Sequence, residues 1–118
     1  MKKANCYQLP AILFPVGLQA KNDRMQYQAF VQSISQNKPP VKLTVYLNAL
    51  WYDAKGDWHE AHSMIDHLHD EAACWVHAYL HRKEGDIANA DYWYRRAGKI
   101  RPSVSLQEEW ETIVRAML

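Results

Sequence analysis

Cysteine is scarce in this chain of 118 residues: only Cys6 and Cys74 occur. They form no CxxC pair and no zinc-type spacing. That argues against a disulfide framework and fits a reducing, cytoplasmic setting. Cys74 lies in an apolar helical pattern and reads as a small buried thiol. Glycine (4) and proline (5) are also few, which speaks against a loop-rich or all-β domain. The formal net charge is only +1, so there is no broad electrostatic footprint for nucleic acid or anionic lipid. No stretch approaches the ~20 consecutive apolar residues that a membrane span needs. No segment sustains period-two alternation between turn residues. What remains is a single all-α domain over residues 1–118, long enough to bury roughly two thirds of its unfolded surface.

The N-terminus loosely follows a secretory pattern, with Lys2 and Lys3 ahead of an apolar run from Ala11 to Leu18. Asn5, Tyr7, Gln8 and Pro10 interrupt it, and Pro15 and Gly17 break the run itself. Residues 1–21 are therefore read as an irregular strap packed on a helical body. Asn22 and Asp23 are candidate N-caps for a first helix over 22–36, with Met25, Tyr27, Phe30, Val31 and Ile34 on its apolar face. Pro40 opens a second helix that runs to Ala54. Asp57 and Glu60 have capping-box spacing for a third helix, ending near Leu68. Asp70 and Glu71 open a fourth that ends at Glu84-Gly85, and Asp86 caps a fifth that ends near Lys99. Ser105 and Glu108 form another capping box, for a last helix over 105–118 whose apolar face is Leu106, Trp110, Ile113, Val114 and Met117. About six helices joined by very short turns must run antiparallel.

Two stretches of the chain echo each other. Ala49, Gly56, Asp57 and Ala61 recur as Ala78, Gly85, Asp86 and Ala90, each shifted by 29 residues. From Glu71 to Pro102 the chain resembles a tetratricopeptide repeat: Gly85 stands at the turn, and Ala78 is the small residue of the first helix. Ala90, Tyr94 and Ala97 line one face of the second, and Pro102 closes the unit. The resemblance implies two helical hairpins over residues 40–99, with the N-terminal strap and helix on one side and a C-terminal capping helix on the other. The run from Ala78 to Ala97 also resembles a small bacterial family of uncharacterised function, which implies a fold and no activity.

That resemblance implies a partner groove lined by the first helix of each hairpin, with Tyr46 in the first unit and Trp75, Tyr79, Arg82 and Lys83 in the second. Trp75, Tyr79 and Arg82 are spaced four and three apart, so they share one helical stripe. Aromatics with arginine suit a peptide-binding patch. Such a patch calls for a cover, either another protein or the chain's own residues 7–20. The leading expectation is a non-catalytic interaction module with a protein or peptide partner, self-association included, and no cofactor.

The alternative lies in the six histidines, all between His59 and His81. His77 and His81 are four apart on one helix, as a metal pair requires, and His62 and Asp66 on the preceding helix offer further ligands. Packed, hydrogen-bonded imidazoles are the simpler expectation for His77 and His81. Tyr92-Trp93-Tyr94-Arg95-Arg96 joins aromatics to arginines, but no wider basic stripe follows, so nucleic acid is not expected as a partner. No nucleophile–base spacing and no phosphate-binding loop can be picked out; an enzyme is not the leading expectation, and a catalytic role stays open for the alternative, a small histidine-lined metal or ligand site.

Overall fold

The computed structural model describes the backbone from residue 16 and the side chains from residue 22 to residue 118. The described chain is all-helical: α1 (Val16–Ser33), α2 (Val45–Ala54), α3 (Trp58–Ile65), α4 (Glu71–Glu84), α5 (Ile87–Arg96) and α6 (Leu106–Met117). No strand occurs among the described residues, and none of the helices is long and apolar enough to cross a membrane.

Local chemistry sets most of the helix starts. Thr44, Asp57, Asp70, Asp86 and Ser105 each accept, through the side chain, the backbone N–H three residues on. Each such cap satisfies a donor the helix cannot pair internally. At Ser105 the reciprocal bond is also made, from its own N–H to Glu108 Oε1 at 3.2 Å. α4 stops at Gly85, whose φ of 91° lies in the left-handed region. A Cβ at this position would meet nothing within 4 Å, so substitution costs conformational energy and no clash. Gly85→Ala is therefore expected to lower stability by about 1 kcal/mol, read as a shift of the urea midpoint at unchanged slope.

Several helix boundaries differ from the sequence reading. α1 begins at Val16, six residues ahead of the expected start, so Asn22 and Asp23 are helix-interior positions rather than caps. Of the strap expected over residues 1–21, residues 16–21 are helical and the first fifteen lie outside the described residues. α2 begins at Val45 instead of Pro40, because Lys42 takes a left-handed φ of 68° that no α-helix accommodates. α1, α3 and α5 end at Ser33, Ile65 and Arg96, each three residues early.

α4 is the central element. It packs against α2, α3, α5 and α6, and eight of its fourteen residues are buried. Its Ala78 meets Ala90 and Tyr94 of α5. On its other sides, Val76, Tyr79 and Leu80 join Leu47, Leu50 and Trp51 of α2, Ala61 and Ile65 of α3, and Trp110, Ile113 and Val114 of α6. α1 completes this core with Phe30, whose ring lies 6.0 Å from that of Trp110. Because α4 is enclosed on nearly every side, its polar residues must find partners inside the protein.

Candidate functional site

The aromatic and basic stripe expected to face a partner is already in use. Tyr79 is 2% exposed, and its hydroxyl donates to Asp53 Oδ2 at 3.2 Å. Lys83 donates to the other oxygen of Asp53 at 2.9 Å. Trp75 Nε1 and Arg82 both donate to Glu109 of α6, at 3.3 and 2.8 Å, and Arg82 also donates to the Val104 carbonyl. Tyr46 points to the other end of α4, where its hydroxyl donates to Asp70 at 2.6 Å. That bond, with burial, pushes the Tyr46 pKa up to about 12. Hence Trp75, Tyr79, Arg82, Lys83 and Tyr46 do not form an open groove. α6 engages Trp75 and Arg82 through Glu109, and α2 engages Tyr79 and Lys83 through Asp53; the sequence reading placed α6 only as a cap. What stays open beside Trp75 is a cleft of ≈ 280 Å³ shared with Ile100, Pro102 and Val104.

A second cluster forms where α3 meets α4. His62 comes from α3, and His77 and His81 come from one face of α4. Their ring nitrogens include a set, one per residue, lying within 4.8 Å of one another. His62 Nε2 and His77 Nε2 are 3.0 Å apart. Two indoles flank the imidazoles. Trp93 of α5 stacks on His77, with centroids 4.0 Å apart, and Trp58, one turn before His62 on α3, stacks on His62 at 4.8 Å. Trp58 is itself fixed, its Nε1 donating to the Leu80 carbonyl at 2.8 Å.

Carboxylates stand behind two of the three rings. His81 Nδ1 lies 2.7 Å from Glu84 Oε2. In the neutral ring this places the proton on Nδ1 and leaves Nε2 a lone pair. His62 Nδ1 lies 3.7 Å from Asp66 Oδ2. Asp66, expected as a ligand, therefore sits behind His62 rather than among the three imidazoles. His77 has no such support: it is 3% exposed, and its Nδ1 finds no hydrogen-bond partner among the described residues. An unmet polar atom at such depth is costly.

Burial holds His77 and His62 neutral. It lowers the His77 pKa to about 4, assisted by the charges His62 and His81 would carry, with Asp66 pulling the other way. Burial and His81 likewise lower the pKa of His62. Neutral imidazole is the form that ligates metals. Three such nitrogens can hold a first-row transition ion, for which tetrahedral geometry asks neighbouring ligand nitrogens to stand about 3.3 Å apart.

No protein-family model matches the chain, and neither the curated proteins nor the solved structures contain a significant match. The tetratricopeptide likeness thus rests on the residues that carry it. Sequence reasoning named His62, His77 and His81 but missed the roles of the two indoles, of Glu84 and of the buried acid Glu109. Some signals were there. Trp58 stands four residues before His62 and Glu84 three after His81, both spacings that share a helix face. Trp93 gave none, since its position depends on how α5 lies against α4.

Proposed function

We propose that this protein binds a transition-metal ion through His62, His77 and His81. One observation carries the reading: three imidazoles from two helices converge, with one ring nitrogen of each within 4.8 Å of the others. The neutral state of His77 and His62 supports it, as do the carboxylates behind His62 and His81. Such outer carboxylates orient ligating histidines and raise their basicity. The reading is one of binding, and no reaction is assigned to it. An interaction module remains the alternative function; the burial of Tyr79 and the bonds of Trp75 and Arg82 to Glu109 of α6 favour a surface other than that stripe.

The test is calorimetric titration of Zn²⁺ into metal-free protein purified without an affinity tag. One ion per chain is expected, lost in the His77→Ala/His81→Ala variant while the helical circular dichroism persists. At a free ion concentration 100 times Kd, binding should stabilise the fold by about 2.7 kcal/mol. If the wild-type chain takes up no zinc, copper or nickel at that stoichiometry, the three histidines are packing residues and the reading falls.

A further inference from the structure

Three neutral imidazoles bring no charge to an ion, so what surrounds them decides which ion they hold. A divalent cation in a partly buried site needs negative charge nearby. Two carboxylates meet that need at the backs of two different ligands: Glu84 at 2.7 Å from His81 Nδ1 and Asp66 at 3.7 Å from His62 Nδ1. The third ring, His77, is covered by the indole of Trp93 and has no acid on its free nitrogen. Asp86 brings a third carboxylate within 4.8 Å of His81 and Glu84, so the surroundings of the site are rich in negative charge. Soft donors, which would favour a monovalent ion such as Cu⁺, are not part of the group. The thiol of Cys74, one turn before His77, is directed to the His69 carbonyl at 3.6 Å.

We infer that Asp66 and Glu84 are the counter-charges that make the His62–His77–His81 site selective for a divalent, imidazole-preferring cation of the zinc class over monovalent soft ions. The inference rests on the metal-binding reading above and adds two residues that determine specificity without touching the ion. Both are accessible, at 43% and 39% side-chain exposure, so Asp66→Asn and Glu84→Gln should leave the fold intact.

Charge predicts a particular pattern. The attraction of a fixed carboxylate for an ion scales with the ion's charge. Removing a carboxylate should therefore weaken Zn²⁺ by the square of the factor by which it weakens Ag⁺, an air-stable monovalent probe. Each amide variant is expected to bind Zn²⁺ about 10–100-fold more weakly and Ag⁺ about 3–10-fold more weakly. The affinities would be measured by competition titration, with circular dichroism confirming the helical fold of each variant. Equal factors for both ions would mean that the acids only position the rings, and unchanged zinc affinity would mean that they do nothing at the site. Either result overturns the inference while the histidine site stands. A wild-type chain that binds neither ion removes the site itself, and the inference with it.

Discussion

Glu109→Ala is expected to destabilise the protein by about 3–5 kcal/mol, the scale for breaking a buried ion pair. Glu109 is 2% exposed and sits on the face of α6 that meets α4. Its carboxylate accepts from Trp75 Nε1, from Arg82, and from the Tyr94 hydroxyl at 2.6 Å. Burial and that acid together raise the Tyr94 pKa, so the phenol remains a donor. Truncation would leave the Arg82 guanidinium, whose side chain is 15% exposed, with no counter-charge and only the Val104 carbonyl to accept from it, and would leave two further donors without that acceptor. The cost is that of stranded donors rather than of lost apolar contact. Urea denaturation should show a lower midpoint at unchanged slope. Replacing both partners, as Glu109→Met/Arg82→Met, should recover part of the loss, because no charge is then left buried alone. A single variant within about 1 kcal/mol of wild type would show that water reaches Arg82.

The second large effect is acid lability of the metal-free protein. The His77 pKa is held near 4 by burial and by His62 and His81, against 6.5 in the unfolded chain. A folded pKa below the unfolded value means that the unfolded state binds more protons between the two. The stability associated with a neutral His77 is therefore complete above pH 6.5 and is lost as pH falls toward 4. The full loss amounts to about 3 kcal/mol. His62 shifts in the same direction and reinforces it. The groups facing His77 are His62 and Asp66 from α3, His69 just before α4, His81 from α4 itself and Trp93 from α5. Stability measured by urea at pH 7 and at pH 4.5 should differ by more in the wild type than in His77→Phe, which keeps a stacked ring and cannot titrate. Equal pH dependence in the two would place the acid sensitivity elsewhere.

Legibility in the sequence followed the range of the interaction. Asp57, Asp70, Asp86 and Ser105 were readable as helix starts because a cap acts within three residues. Gly85 was readable because a left-handed helix end favours glycine. The start of α2 was not, because Lys42 adopts its left-handed backbone without any of the residue types that signal one. The face of α6 was half readable. Glu109 stands three residues after Leu106 and four before Ile113, in line with the apolar stripe, yet an acid in that stripe looks like an exception until Arg82 and Tyr94 are seen opposite. The outward aspect of Trp75, Tyr79 and Arg82 was misjudged because helical spacing tells which residues share a side of α4, not what lies across from it. For the histidines, the pair on α4 followed from spacing alone, whereas the approach of His62 depended on the packing of α3.

The 29-residue echo within the chain has a consequence for descent. Counting back 29 positions, His77 corresponds to Asn48 and His81 to Tyr52, while Trp93 corresponds to Met64. Counting forward, His62 corresponds to Asp91 and Trp58 to Ile87. Every ring in the cluster thus has a different residue in its echo, although the small residues and the turn glycine are shared. If the two helix pairs arose by duplication, the histidine cluster was not copied with them. It belongs to the seam between the copies, where α3 of one meets α4 of the other, and a further duplication of either pair alone would propagate the scaffold without the cluster.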